Sequence, residues 1–222
     1  MSFVHDDPDF PRLLAIVSRE TGVAAALVEK DYWVTHCLWA LHEAGIELWL
    51  KGGTSLSKGF GLIRRFSEDL DLMVQRGTVA SLPAVTNWTS TNKGPVAARR
   101  AFYDALPDAF AIPAVKIDAD TSRHDKQARG IDLIGRYPGV LLDRLSPTMS
   151  PFVRFEIGRA RVVPFVEMPL TSLGLLENLL RILREGRASL SAGGVARWLS
   201  ATEALVYCAS SVMGSVYVST HA

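Results

Sequence analysis

Lys51-Gly52-Gly53-Thr54-Ser55-Leu56-Ser57-Lys58-Gly59, followed ten residues later by Asp69-Leu70-Asp71-Leu72, decides how this chain is read. The apolar run Ile46-Glu47-Leu48-Trp49-Leu50 before it suits a buried strand, and Ser55 to Ile63 predicts a short helix after the glycine pair. Glycines at such a junction let the backbone approach a phosphate. A helix N-terminus that follows at once adds free N–H groups and a favourable dipole, so the polarity of the junction suits an anion.

In Asp69-Leu70-Asp71-Leu72 the strand period of two sends both carboxylates to one face and both leucines to the other. Hard oxygen ligands in this arrangement, completed by substrate phosphates, suit Mg²⁺ and an in-line displacement at phosphorus. An exposed strand edge with alternating acids gives the same pattern; the Gly52-Gly53 turn upstream favours the metal reading. Lys58, Arg64 and Arg65 lie between turn and acids, where cations neutralise a triphosphate, and surface solvation is the alternative for each. A P-loop is excluded because Gly59 follows Lys58 where Ser or Thr would ligate the metal.

These two segments, extended through Arg64-Arg65-Phe66-Ser67-Glu68 and preceded by Val28-Glu29-Lys30-Asp31-Tyr32-Trp33-Val34-Thr35, closely resemble the AbiEii/AbiGii abortive-infection toxins of the polymerase-beta-like nucleotidyltransferase superfamily. Phe152-Val153-Arg154-Phe155-Glu156-Ile157-Gly158-Arg159-Ala160-Arg161 and Glu167-Met168-Pro169-Leu170-Thr171-Ser172 are similar to later family segments, so the resemblance runs from about Val28 to Ser172. It implies an α/β (α+β) fold: a mixed sheet flanked by helices, with a helical C-terminal part. The division it suggests is a nucleotidyltransferase-like domain over 1–172 and a helical or degenerate tail over 173–222.

The resemblance further implies a metal-dependent transfer of a nucleoside monophosphate from an NTP to a hydroxyl acceptor, with tRNA the first acceptor to consider and an antitoxin as protein partner. In that scheme Asp69 and Asp71 hold Mg²⁺, while Gly52, Gly53, Thr54, Ser55, Lys58 and Arg65 bind the nucleotide. Superfamily chemistry uses a third acid on a neighbouring strand, and Glu156 is the candidate because alternation puts it with Arg154 on the face opposite Phe155 and Ile157. A surface Arg–Glu pair fits the same pattern, and Asp118 and Asp132 are lesser candidates. The family's later lysine and acid are not recognisable after Ser172: Asn178 follows Glu177, and Ala201 stands where an acid is expected. Two expectations follow, an active toxin or a chain that binds Mg-NTP but transfers weakly.

The remaining sequence sets the frame. The 222 residues, 48% hydrophobic, are enough for one large or two small domains. With 24 basic residues against 23 acidic ones, a net charge of +1 argues against a broadly basic nucleic-acid-coating surface. Cys37 and Cys208 lack metal-ligand spacing and read as buried thiols of a reducing compartment. Met1 to Asp9 carries three aspartates and no leader pattern, and the apolar stretch Ala204 to Val218 falls short of the roughly 20 residues of a spanning helix, so a cytoplasmic protein is expected. The five histidines show no triad or zinc spacing.

Periodicity predicts a helix to about Ser18, a longer one from Val23 to Glu43, a third from Pro95 to Leu106 with Arg99-Arg100 exposed, and a strand at Val115 to Asp118. Tyr32 and Trp33 read as packing and Asp118 to Gly130 as a hairpin loop. Glu29-Lys30-Asp31 reads as a solvated charge run, while the resemblance implies looking for its contact with the active-site turn.

Overall fold

Pro11 in the first turn and Gly22 just past the last one, at φ 72°, bound helix α1 (Phe10–Thr21). Proline's fixed φ suits a helix start, and glycine takes the left-handed cap without strain. The computed structural model describes residues 3–59, 66–75, 79, 81–120, 122, 125–159, 165–167 and 216–219. Helix α2 (Ala25–Glu43) follows and is ended by Gly45 at φ 77°. Val28 through Val34 are all buried, nearly two turns in succession, so α2 is enclosed on every side over this stretch. Trp33 stacks on Tyr137 at 5.1 Å, and Tyr32 meets Phe10 of α1 at 5.2 Å, which confirms both as packing residues.

Seven strands form one mixed sheet: β1 (Glu47–Lys51), β2 (Asp69–Gln75), β3 (Lys116–Ala119), β4 (Gly130–Arg136), β5 (Val153–Gly158), β6 (Phe165–Glu167) and β7 (Val216–Ser219), in the order β3-β4-β5-β2-β1-β7-β6. The central pair β2–β5 is parallel, β1–β2 and β4–β5 are antiparallel, and β7 lies parallel to β1. Leu48, Leu50, Leu70, Leu72, Leu133, Val153, Phe155 and Ile157 point to one face and join the α2 side chains in a single core. Fully burying such a side chain contributes roughly 1.5–3 kcal/mol. The other face carries the charged residues. The strands expected at 46–50, 69–74 and 152–157 are present within one residue at each end, in one sheet with α2 packed on β1 and β5.

The structure adds one strand to those expected, corrects one residue and leaves the C-terminal expectation almost wholly outside the described residues. Ile131-Asp132-Leu133 lies in the first half of β4, where Ile131 and Leu133 carry the period-two signal of a strand. Arg99, expected to be exposed on helix α3 (Lys93–Asp104), is 1% exposed. Its guanidinium donates to the carbonyls of Ala128 (3.1 Å), Asn87 (3.1 Å), Ser90 (2.9 Å) and Gln127 (2.8 Å), so one side chain closes two loops onto the helix. Lastly, the helical C-terminal part lies outside the described residues except for Val216–Ser219, and that piece is a strand within the sheet.

Candidate active site

At the end of β1 the chain turns through Gly52 at φ +65° into a helical turn, Gly52–Thr54, that widens into a π-type turn over Ser55–Gly59. Gly52 lies hard against β2: a Cβ placed there would sit 1.8 Å from Asp71 Oδ2 and 2.8 Å from its Cγ. Both the left-handed φ and the absent side chain are therefore required. Thr54 is wholly buried, and its hydroxyl donates to the carbonyl of Asp69 at 2.6 Å, pinning the turn to the first residue of β2.

Asp69 and Asp71 share the face opposite the buried Leu70 and Leu72, and both are half-buried. Register carries the acids across the sheet. Lys51 pairs with Asp71 on one side, and on the other Asp71 lies opposite Glu156, which in turn lies opposite Asp132. The Asp120 N–H donates to the Asp132 carbonyl at 2.8 Å and extends the row by one more acid. Opposite residues on paired strands share a face, so Asp71, Glu156, Asp132 and Asp120 form an acidic row, with Asp69 one step along β2.

Arg154, across from Asp69, is the cation set into this field. Its Nη1 donates to Asp120 Oδ2 at 3.0 Å and lies 3.9 Å from Asp132 Oδ2. Burial raises the Asp69 carboxyl above its ordinary range, the charges of Glu68 and Glu156 add to this, and Arg154 and Lys30 oppose it. The Ser122 hydroxyl and N–H, with Arg154, hold Asp120 below the usual range. Mutual repulsion of this kind is what a bound cation relieves, and the donors are the hard oxygens that Mg²⁺ takes. Among the described residues no three His, Cys, Asp or Glu side chains converge as a metal cluster. Asp69 and Asp71, on one face beside the turn, are oxygen donors of the kind such an ion takes.

Several residues stand elsewhere than the sequence suggests. Lys58, expected at the phosphates, turns into the protein: its Nζ lies 2.5 Å from Asp31 Oδ1 and 3.1 Å from Thr35 Oγ1, with the side chain 2% exposed. The Thr54 hydroxyl is spent on Asp69, and Ser55 is likewise wholly buried, so neither hydroxyl faces an incoming phosphate. Gly52 is exposed and Gly53 half-buried, which leaves their backbone as the accessible part of the turn. Asp118 sits on the edge strand with Lys116 at 3.3 Å and Arg136 at 3.6 Å, whereas Asp132 lies in the acidic row. Arg64 and Arg65 lie outside the described residues. The Glu29-Lys30-Asp31 run is not solvated: all three residues are buried.

A mixed sheet with paired acids on the strand beside a glycine turn defines a nucleotidyltransferase-like α/β domain. The chain belongs to the family described as nucleotidyl transferase AbiEii toxin, Type IV TA system, whose model matches residues 37–184. That match passes beyond Ser172, where the recognisable motifs fade. Among solved structures the chain is similar to MenT4, the nucleotidyltransferase toxin Rv2826c from Mycobacterium tuberculosis H37Rv, at 20% identity and a TM-score of 0.39. The likeness covers 80% of this chain and 60% of that one, so this chain spans well under the neighbour's full length. No curated protein matches. Among the described residues no helix is long and apolar enough to cross a membrane.

Proposed function

We propose that this chain is a metal-dependent nucleotidyltransferase toxin that moves a nucleoside monophosphate from an NTP to a hydroxyl acceptor, with tRNA as the acceptor class, and that it works in the cytoplasm under control of an antitoxin. The observation that carries the reading is the contact of Gly52 with the Asp71 carboxylate, on the face that also presents Asp69. Asp69 and Asp71 hold Mg²⁺, which supplies charge stabilisation at the reacting phosphoryl group. The accessible backbone of Gly52 and Gly53 approaches the phosphates, where a side chain would exclude them. Arg65 is proposed to neutralise the triphosphate, and Lys58 holds the turn through Asp31. The acceptor oxygen attacks the α-phosphorus, the bond to the bridging oxygen breaks, and pyrophosphate leaves. Glu156, in register with Asp71, takes the proton of the acceptor hydroxyl.

The test is incorporation of label from each of the four α-labelled NTPs into total tRNA, with Asp69→Ala and Asp71→Ala as controls. The expected result is labelling from at least one NTP that falls by about 10²- to 10³-fold or more in both variants. Labelling that survives both substitutions overturns the site. Mg-NTP binding without any labelling overturns the transfer and favours a nucleotide-binding protein.

A further inference from the structure

The turn of α2 that carries Glu29, Lys30 and Asp31 enters the proposed chemistry only through the Asp31–Lys58 pair, yet all three residues are buried, at 1%, 0% and 2% exposure. Consecutive helical residues point about 100° apart, so the three side chains reach three different neighbours. Glu29 accepts the N–H groups of Val140 (2.7 Å) and Leu141 (2.8 Å) in the segment after β4. Lys30 forms an ion pair with Glu68, the residue before Asp69, and donates to the Ser150 carbonyl at 2.5 Å. The Ser150 N–H closes the triangle on the same Glu68 Oε2 at 3.0 Å. Asp31 takes Lys58 from the turn after β1. The four segments held in this way are those that lead into or out of Asp132, Asp69, Glu156 and Gly52.

Stability does not account for three buried charges in succession, because apolar groups of similar size often replace a buried ion pair at no loss. Directional ion pairs add selection of one geometry over its neighbours. We propose that Lys30, flanked by Glu29 and Asp31, is a positioning residue for the Asp69–Asp71 face: by binding Glu68 and Ser150 together it sets β2 against β5 where Asp71 meets Glu156. The role rests on the metal-site reading above. Lys30 itself touches neither metal nor nucleotide.

The experiment is Mn²⁺ binding by the full chain in the presence of a saturating non-hydrolysable NTP, read as the protein-bound signal by electron paramagnetic resonance, with melting temperature measured in parallel. Lys30→Met/Glu68→Leu removes one charge of each sign, so the field at Asp69 changes little while the tether is lost. The expected result is a folded variant that melts close to wild type and binds Mn²⁺ about 10- to 100-fold more weakly, as loss of an orienting partner does. Lys30→Met/Glu68→Gln keeps an acceptor for the Ser150 N–H and decides on the same criterion if the leucine variant does not fold. Wild-type Mn²⁺ affinity in a folded double variant overturns the positioning role and leaves the metal site standing. Wild-type protein that binds no Mn²⁺, or binds it equally after Asp71→Ala, overturns the metal site and the positioning role together.

Discussion

Gly52→Ala probes the contact on which the site rests, and Gly22→Ala supplies its control. Both glycines have left-handed backbone, φ +65° and +72°, but a Cβ at Gly22 meets nothing within 4 Å whereas one at Gly52 falls 1.8 Å from Asp71 Oδ2. Left-handed strain in a non-glycine residue costs roughly 1–2 kcal/mol and applies to both variants. The clash applies to Gly52 alone, and non-bonded atoms prefer about 3.5–4 Å. With Asp71 Cγ at 2.8 Å and Cβ at 3.1 Å, rotating the carboxylate away relieves the worst overlap, but only by taking it off its place beside the turn. Overpacking of this kind adds about 1–3 kcal/mol. Gly52→Ala should therefore be destabilised by roughly 2–5 kcal/mol against 1–2 for Gly22→Ala in urea unfolding. It should also lose Mn²⁺ affinity by about tenfold or more, while Gly22→Ala keeps it. Equal stabilities for the two variants, with wild-type Mn²⁺ binding in both, would refute the reasoning.

Three further outcomes follow from the same structure. Thr54→Val keeps the shape of a buried side chain but removes the 2.6 Å bond to the Asp69 carbonyl, and should cost about 1–2 kcal/mol by urea unfolding; a neutral result would mean that the hydroxyl does not pin the turn. Arg99→Met leaves four carbonyls without their donor and should cost at least about 3 kcal/mol, with faster amide exchange in residues 87–90 and 127–128; exchange unchanged in both loops would count against the clasp. Burial pushes His36 down to about 4, against the partial support of the Pro113 carbonyl that accepts from its Nε2 at 2.9 Å. Above its unfolded value of about 6.5 the imidazole is neutral in both states. As pH falls from there to about 4 only the unfolded chain takes the proton, so roughly 3 kcal/mol of stability is lost at about 1.36 kcal/mol per pH unit. His36→Gln should flatten that part of the pH dependence of unfolding, and an unchanged slope would show that His36 is not its source.

What the sequence determined by itself is local. Alternation in Asp69-Leu70-Asp71-Leu72 and in Val153-Arg154-Phe155-Glu156-Ile157 settles which side chains share a face, because the period of a strand belongs to the backbone and not to its neighbours. The glycine at 52 and the stop at Gly45 are legible for the same reason, and the span of α2 follows from its apolar content. Nothing in residue order says which strand lies beside which. The parallel pairing of β2 with β5 joins residues more than 80 positions apart, and only that pairing puts Glu156 across from Asp71 and Arg154 across from Asp69. Residue order does not show the burial of the charges for a related reason, and only the resemblance points to their contact with the turn. Glu29-Lys30-Asp31 looks solvated because charged residues are almost never fully buried unless paired, and the partners that permit it, Glu68, Ser150 and Lys58, come from other elements, up to 120 residues away. Lys58 reads as a phosphate ligand by its place in the turn, but Asp31 lies within reach only once α2 has packed against that turn, and pairing there offsets part of the desolvation cost that an unpaired buried ammonium would carry in full.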